Sequence, residues 1–367
     1  MLRFLHGGDF HLDSPFHSLS PQQAVAARQE QREILNRFAE VAREEQVHLC
    51  FLTGDLFDSR RVYPETLLAL RAMLESLSVP VFISPGNHDP YTEDSPYARL
   101  AWPSHVHVFK SHAVEAVSLP ELNCTVYGNA FTTSHRSDSP LAGLSPRGTG
   151  LAFGCFHGDI TAGASRFGPI SPEQIAASGL HYLALGHVHT ASGLQQRGRT
   201  FYAYPGCPQG RGFDETGERG VYFGSTDGGR VTLRFRPLCR RQYRILETDI
   251  TGKTPEAALR SLLTLLAQET GEDIVRIHLT GEREGVEPLS LRHLELMGTP
   301  YFYHLEILDR TRVGRDLWAR QKEESLLGLF LRDMSQRLAQ ASPEDTQELE
   351  LALRFGLAAL EGRDSPE

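Results

Sequence analysis

Seven side chains in five short clusters carry nitrogen and oxygen donors at spacings that suit a pair of metal ions. Asp9 and His11 stand in "GGDFH", Asp55 in "TGDLFD", Asn87 in "PGNHD", His157 in "CFHGD", and His187 with His189 in "GHVH". Each cluster follows an apolar run of strand length, so each donor would sit at the mouth of a buried strand. Asp, His and Asn without thiolate suit manganese, iron or zinc, rather than calcium or a closed structural zinc site. Seven donors are enough for two ions sharing one carboxylate, and Asp55 is the expected bridge. Ions about 3.5–4 Å apart can hold a hydroxide between them and neutralise the charge that builds on a phosphate during in-line displacement. The neutral amide of Asn87 limits the negative charge and leaves room for an anionic substrate.

Two further residues are expected to act beside the ions rather than hold them. His88 follows a ligand and would face the substrate, where an imidazolium can stabilise phosphoryl oxygens or protonate the leaving oxygen. Asp58, three residues after the bridge, would orient and charge that imidazole. Arg60 and Arg211 are candidate substrate contacts. Each cluster alone has a bland reading, since an Asp-x-His pair is common in loops and Gly-Asn favours a turn. Five of them, each just after an apolar run, are hard to attribute to chance.

The elements that must position these donors alternate. Residues 2–8 read as a short strand, 21–46 as a helix with room for one break, 48–54 as a second strand, 63–77 as a helix with Pro64 near its start, and "VPVFISPG" as a third strand. That rhythm indicates an α/β layer architecture. In extended backbone, residues two apart project to one side, which would let Asp9 and His11 grip one ion. "LAFGCF" and "HYLALG" are the strands that deliver the later histidines, with a helix at 171–179 between them, capped by Ser171 with Pro172 in its first turn. "RTFYAYPG" and the run from Gly220, with a hairpin turn at Asp227-Gly228-Gly229, read as antiparallel strands. The expected fold is therefore a four-layer α/β/β/α sandwich, two sheets face to face with helices outside, over residues 1–240. A small α+β unit follows over 241–311. A helical segment over 312–367 places Leu326, Leu327, Phe330, Leu331 and Met334 on one stripe, which either packs on its own domain or docks a partner.

Composition bounds the rest. The chain has 367 residues, enough for two or three units, and ordinary globular content of 40% hydrophobic and 23% charged residues. No apolar run is long enough to cross a bilayer, and the start does not read as a signal peptide, so a cytoplasmic protein without a membrane partner is expected. Five scattered cysteines without a Cys-x-x-Cys pair argue against a disulfide framework and a zinc ribbon. The net charge of −9 sits mainly in the tail: residues 1–240 hold 21 Lys plus Arg against 23 Asp plus Glu. "RVTLRFRPLCRRQYR" (230–244) concentrates six arginines, readable either as a phosphate-contacting patch or as a solvated strand face.

Taken together, Asp9-x-His11, Gly54-Asp55-x-x-Asp58, Gly86-Asn87-His88-Asp89, His157 in "FHGD" and Gly186-His187-x-His189 resemble, in order, the five-motif signature of calcineurin-like metallophosphoesterases. Within that superfamily the strings "DFHLDSPF", "GDLFD", "GPISPEQIAASGLHYLALGHVH" and "YPGCPQGRGFDETGERGVY" resemble DNA repair exonucleases of the SbcD and YhaO type, over roughly residues 1–225. The resemblance implies one ion on Asp9, His11, Asp55 and His189 and the other on Asp55, Asn87, His157 and His187. It also implies manganese dependence, a cap domain, a C-terminal segment that binds the coiled-coil base of an SMC-like ATPase, and pairing into a homodimer. Two departures stand out. Archaeal and eukaryotic relatives carry histidine at the position of Asp58, and Gly7-Gly8 replaces small apolar residues, which is expected to loosen the first strand while removing no ligand. The leading expectation is a two-metal DNA phosphodiesterase acting in end processing. A small-molecule phosphodiesterase or phosphatase, and a weakly active metal-binding scaffold for an ATPase, are the competing readings.

Overall fold

The computed structural model describes residues 1–266, 271–283 and 288–360. The chain divides into two compact units, residues 1–242 and 243–367. In the first, the order is β1 (Leu2–Gly7), α1 (Pro21–Glu44), β2 (Leu49–Leu52), α2 (Pro64–Ser76), β3 (Val81–Ile83), α3 (Pro96–Arg99), β4 (Val106–Val108), β5 (Glu115–Leu119), β6 (Cys124–Gly128) and β7 (Leu151–His157). Then come β8 (Asp159–Ile160), β9 (Pro169–Ile170), α4 (Pro172–Ala177), β10 (Tyr182–Gly186), β11 (Gln195–Arg197), β12 (Thr200–Ala203), β13 (Gly220–Asp227) and β14 (Arg230–Pro237).

These strands make two six-stranded sheets, β14-β13-β1-β2-β3-β4 and β11-β12-β10-β7-β6-β5. β1, β2 and β3 run parallel, as do β7 and β10 in the other sheet, so the five strands open their C-terminal ends on one edge of the sandwich. The alternation of their side chains feeds two different cores. Phe4, Phe51, Phe82, Phe153 and Tyr182 interdigitate between the sheets, whereas Leu5, Cys50, Leu52 and Ile83 face outward under α1 and α2. The outer face of the second sheet is covered by Ile175 of α4 and by loop residues such as Leu141, so this fourth layer is much thinner than the first.

Local chemistry explains the helix ends. Ser20 and Gln23 form a reciprocal capping box on α1, and Ser171 with Gln174 does the same on α4. The break allowed in the first helix is absent: α1 is continuous over 24 residues because Ile34, Leu35 and Phe38 keep one stripe on the sheet. The "FYAY" strand, β12, pairs antiparallel with β11 as expected and runs parallel beside β10 on its other side. The β13–β14 hairpin turns on Gly228 and Gly229 as expected. Gly7-Gly8 does not loosen β1. A Cβ on Gly8 would lie 2.4 Å from the Thr53 hydroxyl, so the missing side chain is what lets the two ligand loops approach.

Half of the arginine run is paired with acidic residues of the same unit. Arg234 and Arg236 pair with Glu45 and Glu44 at the end of α1, and Arg241 pairs with Glu30. No helix among the described residues is long and apolar enough to cross a membrane.

The second unit holds β15 (Tyr243–Asp249), α5 (Pro255–Leu266), β16 (Ile274–Thr280), β17 (Glu282–Arg283), α6 (Leu291–Gly298), β18 (His304–Asp309), β19 (Arg312–Val313), α7 (Arg315–Ala319), α8 (Leu326–Gln340) and α9 (Pro343–Leu360). A parallel sheet β15-β16-β18 packs Val275, Ile277 and Ile307 against Leu259, Leu263 and Leu294 of α5 and α6. The stretch from 313 is not wholly helical as expected, since Ser325 caps a new helix after a tight turn at Arg320–Lys322 and the chain is extended again at Ala341; residues from 361 lie outside those described. Leu331 and Met334 of the predicted stripe pack on Leu353 and Leu357 of α9, with Leu327 and Phe330 beside them. Leu326 turns away and is 69% exposed.

Candidate metal centre

The five ligand-bearing loops meet at the shared strand edge, on both sides of the seam between the sheets. The Asp55 carboxylate lies at the middle: Oδ2 is 3.7 Å from His11 Nε2 and 3.5 Å from His157 Nε2. On one side, His11 Nε2 is 3.2 Å from His189 Nε2, and the latter is 4.0 Å from Asp9 Oδ1. On the other, Asn87 Oδ1 is 2.9 Å from His157 Nε2 and 3.2 Å from His187 Nδ1. Donor atoms each about 2.1 Å from one ion at right angles lie about 3 Å apart, so these spacings match atoms converging on shared cations. All seven predicted donors are therefore brought together.

The backbone route differs from the expected one. Asp9, His11 and Asp55 all have positive φ (52°, 43° and 48°), and His187 has φ 111°. Asp9 and His11 meet through a left-handed loop and not through the alternation of an extended strand, because β1 ends at Gly7. Backbone strain of roughly 1–3 kcal/mol per such residue persists only where surroundings impose it. Here the imposed contacts are visible: the His187 amide donates to both oxygens of Asp9 at 3.0 Å, and the His88 amide donates to Asp55 Oδ1 at 2.9 Å.

The electrostatics suit cations. His11, His157 and His187 are pushed down to about 4, 3 and 4 by burial, so each is neutral at physiological pH, the form that ligates a metal. His157 Nδ1 donates to the Thr53 carbonyl at 2.9 Å, and His189 Nδ1 donates to Glu215 at 2.7 Å, which leaves Nε2 of each free. Asp9 is raised well above the usual carboxylate range by burial and by the neighbouring Asp55 charge. Two buried carboxylates at close quarters are costly alone and are relieved by a cation between them. The residues present thus fit a divalent pair in donor type, spacing and protonation.

The other predicted residues fall as follows. His88 is exposed, its ring edge-on to His11 with centroids 4.8 Å apart, and its Nδ1 lies 3.1 Å from the Asp58 backbone carbonyl. The Asp58 carboxylate does not orient His88. It sits 3.2 Å from His11 Nδ1 and 3.2 Å from Arg211 Nη1, so it backs a ligand instead. A grouping of His11, Asp58 and His88 is close enough to suggest a third ion position, yet His11 turns Nδ1 toward Asp58 and Nε2 toward Asp55. Arg211 is mostly buried against Asp58 and Glu215, and Arg60 is exposed beside the "GDLFD" loop.

Sequence reasoning missed three supports. Asp89, fully buried, accepts from the amides of Asp55, Gly86 and Phe57 and from the Tyr97 hydroxyl, tying two ligand loops together. Glu215 holds His189, and Arg219 donates to the His189 carbonyl at 2.5 Å. The acidic residue in "GNHD" was a visible signal for the first; nothing in "FDETGER" pointed to the other two. His6, not among the candidate ligands, is a satisfied core residue: it links the Tyr182 hydroxyl and the Leu185 carbonyl between the sheets.

Two measurable consequences follow from this packing. An ideal Cβ on Gly186 would lie 1.8 Å from the Thr53 carbonyl oxygen, the acceptor for His157. Gly186→Ala is expected to cost at least about 1–3 kcal/mol in denaturant unfolding of the metal-free protein, since backbone must move to admit the methyl. In EDTA, stability should also fall as pH drops from 6.5 to 5. His6, His11, His157 and His187 are depressed by burial, so between those limits they bind protons only when unfolded; Asp9 and Asp89, raised by burial and by Asp55, bind protons only when folded. The unfolded chain therefore carries the larger proton count, and stability rises with pH by roughly 1–3 kcal/mol per unit. Urea midpoints across that range would check the sign.

Residues 2–191 match the family described as calcineurin-like phosphoesterase, a span of just over half the chain. The uncharacterized metallophosphoesterase YhaO of Bacillus subtilis (strain 168) is 29% identical over 282 residues, covering 73% of this chain and 67% of that protein. Family members of this kind use divalent metals to hydrolyse phosphoesters, and the matched span carries every loop that reaches Asp55. The chain therefore belongs to the calcineurin-like phosphoesterase family and is a metallophosphoesterase.

Proposed function

We propose that the protein is a manganese-dependent DNA phosphodiesterase, acting as an exonuclease and also open to internal cleavage, in the processing of DNA ends. The observation that carries the reading is the grouping of three donors on each side of Asp55, with seven nitrogen and oxygen ligands and no thiolate. A divalent pair bound there would activate water at neutral pH and neutralise charge on the phosphate. The chain's own part is orientation. The amides of His88 and His187 fix the Asp55 and Asp9 carboxylates, Thr53 and Glu215 set the imidazole tautomers, and His88 is left at the open face to meet a phosphoryl or leaving oxygen. The DNA substrate is supported by the motif strings shared with repair exonucleases.

A second reading, a small-molecule phosphodiesterase, is favoured by one observation: three of the six arginines that would track a polymer backbone are already paired with Glu44, Glu45 and Glu30. Purified protein with Mn2+ should degrade end-labelled linear duplex DNA. Hydrolysis of bis-p-nitrophenyl phosphate or cyclic nucleotides without DNA cleavage would select the second reading, and binding of metal without turnover would leave the scaffold role. We also propose that the α8–α9 pair docks the coiled coil of an SMC-like ATPase in the cytoplasm. Leu326, Leu329, Leu351 and Phe355 are all more than half exposed there, as a docking face requires.

A further inference from the structure

Arg211 stands where a substrate clamp was expected, but its guanidinium is already committed. Nη1 donates to Asp58 Oδ1 at 3.2 Å, and Nη2 and Nε donate to Glu215 at 2.6 and 3.2 Å. Each of those carboxylates backs one imidazole: Asp58 is 3.2 Å from His11 Nδ1, and Glu215 is 2.7 Å from His189 Nδ1. The far nitrogens of the same two rings, His11 Nε2 and His189 Nε2, face each other at 3.2 Å. The five side chains close a ring with a cation's place at its inner edge. Arg211 Nη2 also lies 2.9 Å from His189 Nδ1, the separation of two donors converging on one Glu215 oxygen. Among the described residues no carboxylate backs the other half of the centre in this way; there His157 donates to the neutral Thr53 carbonyl.

We propose that Arg211 is a positioning residue for one of the two ions: by bridging Asp58 and Glu215 it holds His11 and His189 in the rotamer and tautomer that turn both Nε2 atoms to a single cation. The inference rests on the two-ion reading above. It also makes a claim that charge alone reverses. As a mere positive charge beside the centre, Arg211 would repel the cation, and removing it would tighten binding. As a planar fork spanning two carboxylates, it cannot be replaced by lysine, whose ammonium is a single point.

The test compares wild type, Arg211→Lys, Arg211→Gln and Glu215→Gln, stripped of metal and titrated with Mn2+ by calorimetry and electron paramagnetic resonance. Wild type is expected to take two ions and give an exchange-coupled pair. In all three variants one affinity should fall about 10–100-fold while the other holds, and the coupled signal should give way to that of isolated Mn2+ at intermediate concentration. Wild-type affinity at both positions in Arg211→Lys, or tighter binding in Arg211→Gln, would show that only charge matters and overturn the proposal. An equal loss at both positions, or loss of the folded state in metal-free Arg211→Lys and Glu215→Gln, would mean that the ring holds loops rather than ligands, and overturns it too. A wild-type protein that binds no ion pair sinks the two-metal reading itself, an outcome distinct from either.

Discussion

Replacing Asp55 with asparagine should cost phosphodiesterase activity at least about 10³-fold while stabilising the metal-free protein. The two signs have one cause. Asp55 Oδ2 is within 3.7 Å of one histidine from each half of the centre, so its charge is the one that two ions held there would share. Its loss removes several kcal/mol of electrostatic stabilisation, and each 1.4 kcal/mol is tenfold in rate. Without metal the same charge is a burden: together with burial it raises Asp9 far above its ordinary range. Asparagine keeps the size and an oxygen that can accept from the His88 amide. Calorimetric Mn2+ titration should show two ions falling toward one or none, and thermal unfolding in EDTA should show a higher midpoint than wild type. An unchanged metal count with unchanged turnover would contradict the bridging role.

His88→Ala should lower kcat about 10²–10⁴-fold with both ions still bound, the range expected for loss of a positioned acid or base. The geometry separates this residue from the ligands. Its side chain is exposed, Nδ1 is occupied by the Asp58 carbonyl, and the remaining nitrogen is free to reach a substrate oxygen. The backbone amide that holds Asp55 survives the substitution, so the metal count should not change. Steady-state kinetics on bis-p-nitrophenyl phosphate against a substrate with a better leaving group would sharpen the result. If His88 protonates the leaving oxygen, the defect shrinks as the leaving group improves; if it only stabilises the phosphoryl charge, the defect stays constant. Full activity in the variant would remove His88 from the chemistry.

The differences between expected and observed contacts share a pattern. The placements read correctly were those carried by one residue's own chemistry at the end of a run, as with His157 closing β7 or Ser171 capping α4. The misread side-chain partnerships were between residues far apart in the chain. Asp58 was paired with His88, thirty residues on, but its carboxylate meets His11 and Arg211, 47 and 153 residues away. Arg234 and Arg236 of β14 read as part of a free basic strip because their partners lie at the C-terminal end of α1, some 190 positions earlier. Periodicity has no access to such pairings, since it reports which face a side chain takes and not what waits opposite.

Sequence alone determined the candidate donors, the strand ends that carry them and the layer architecture, because residue type, apolar runs and capping residues act locally and leave a local mark. Only the tertiary structure decided how the donors are held. The left-handed turns at Asp9, His11 and Asp55, the ring through Arg211 and Glu215, and the buried Asp89 exist because two sheets press their edges within a few ångströms of each other. In that space, removed from water, every polar group must find a partner from whatever strand arrives beside it.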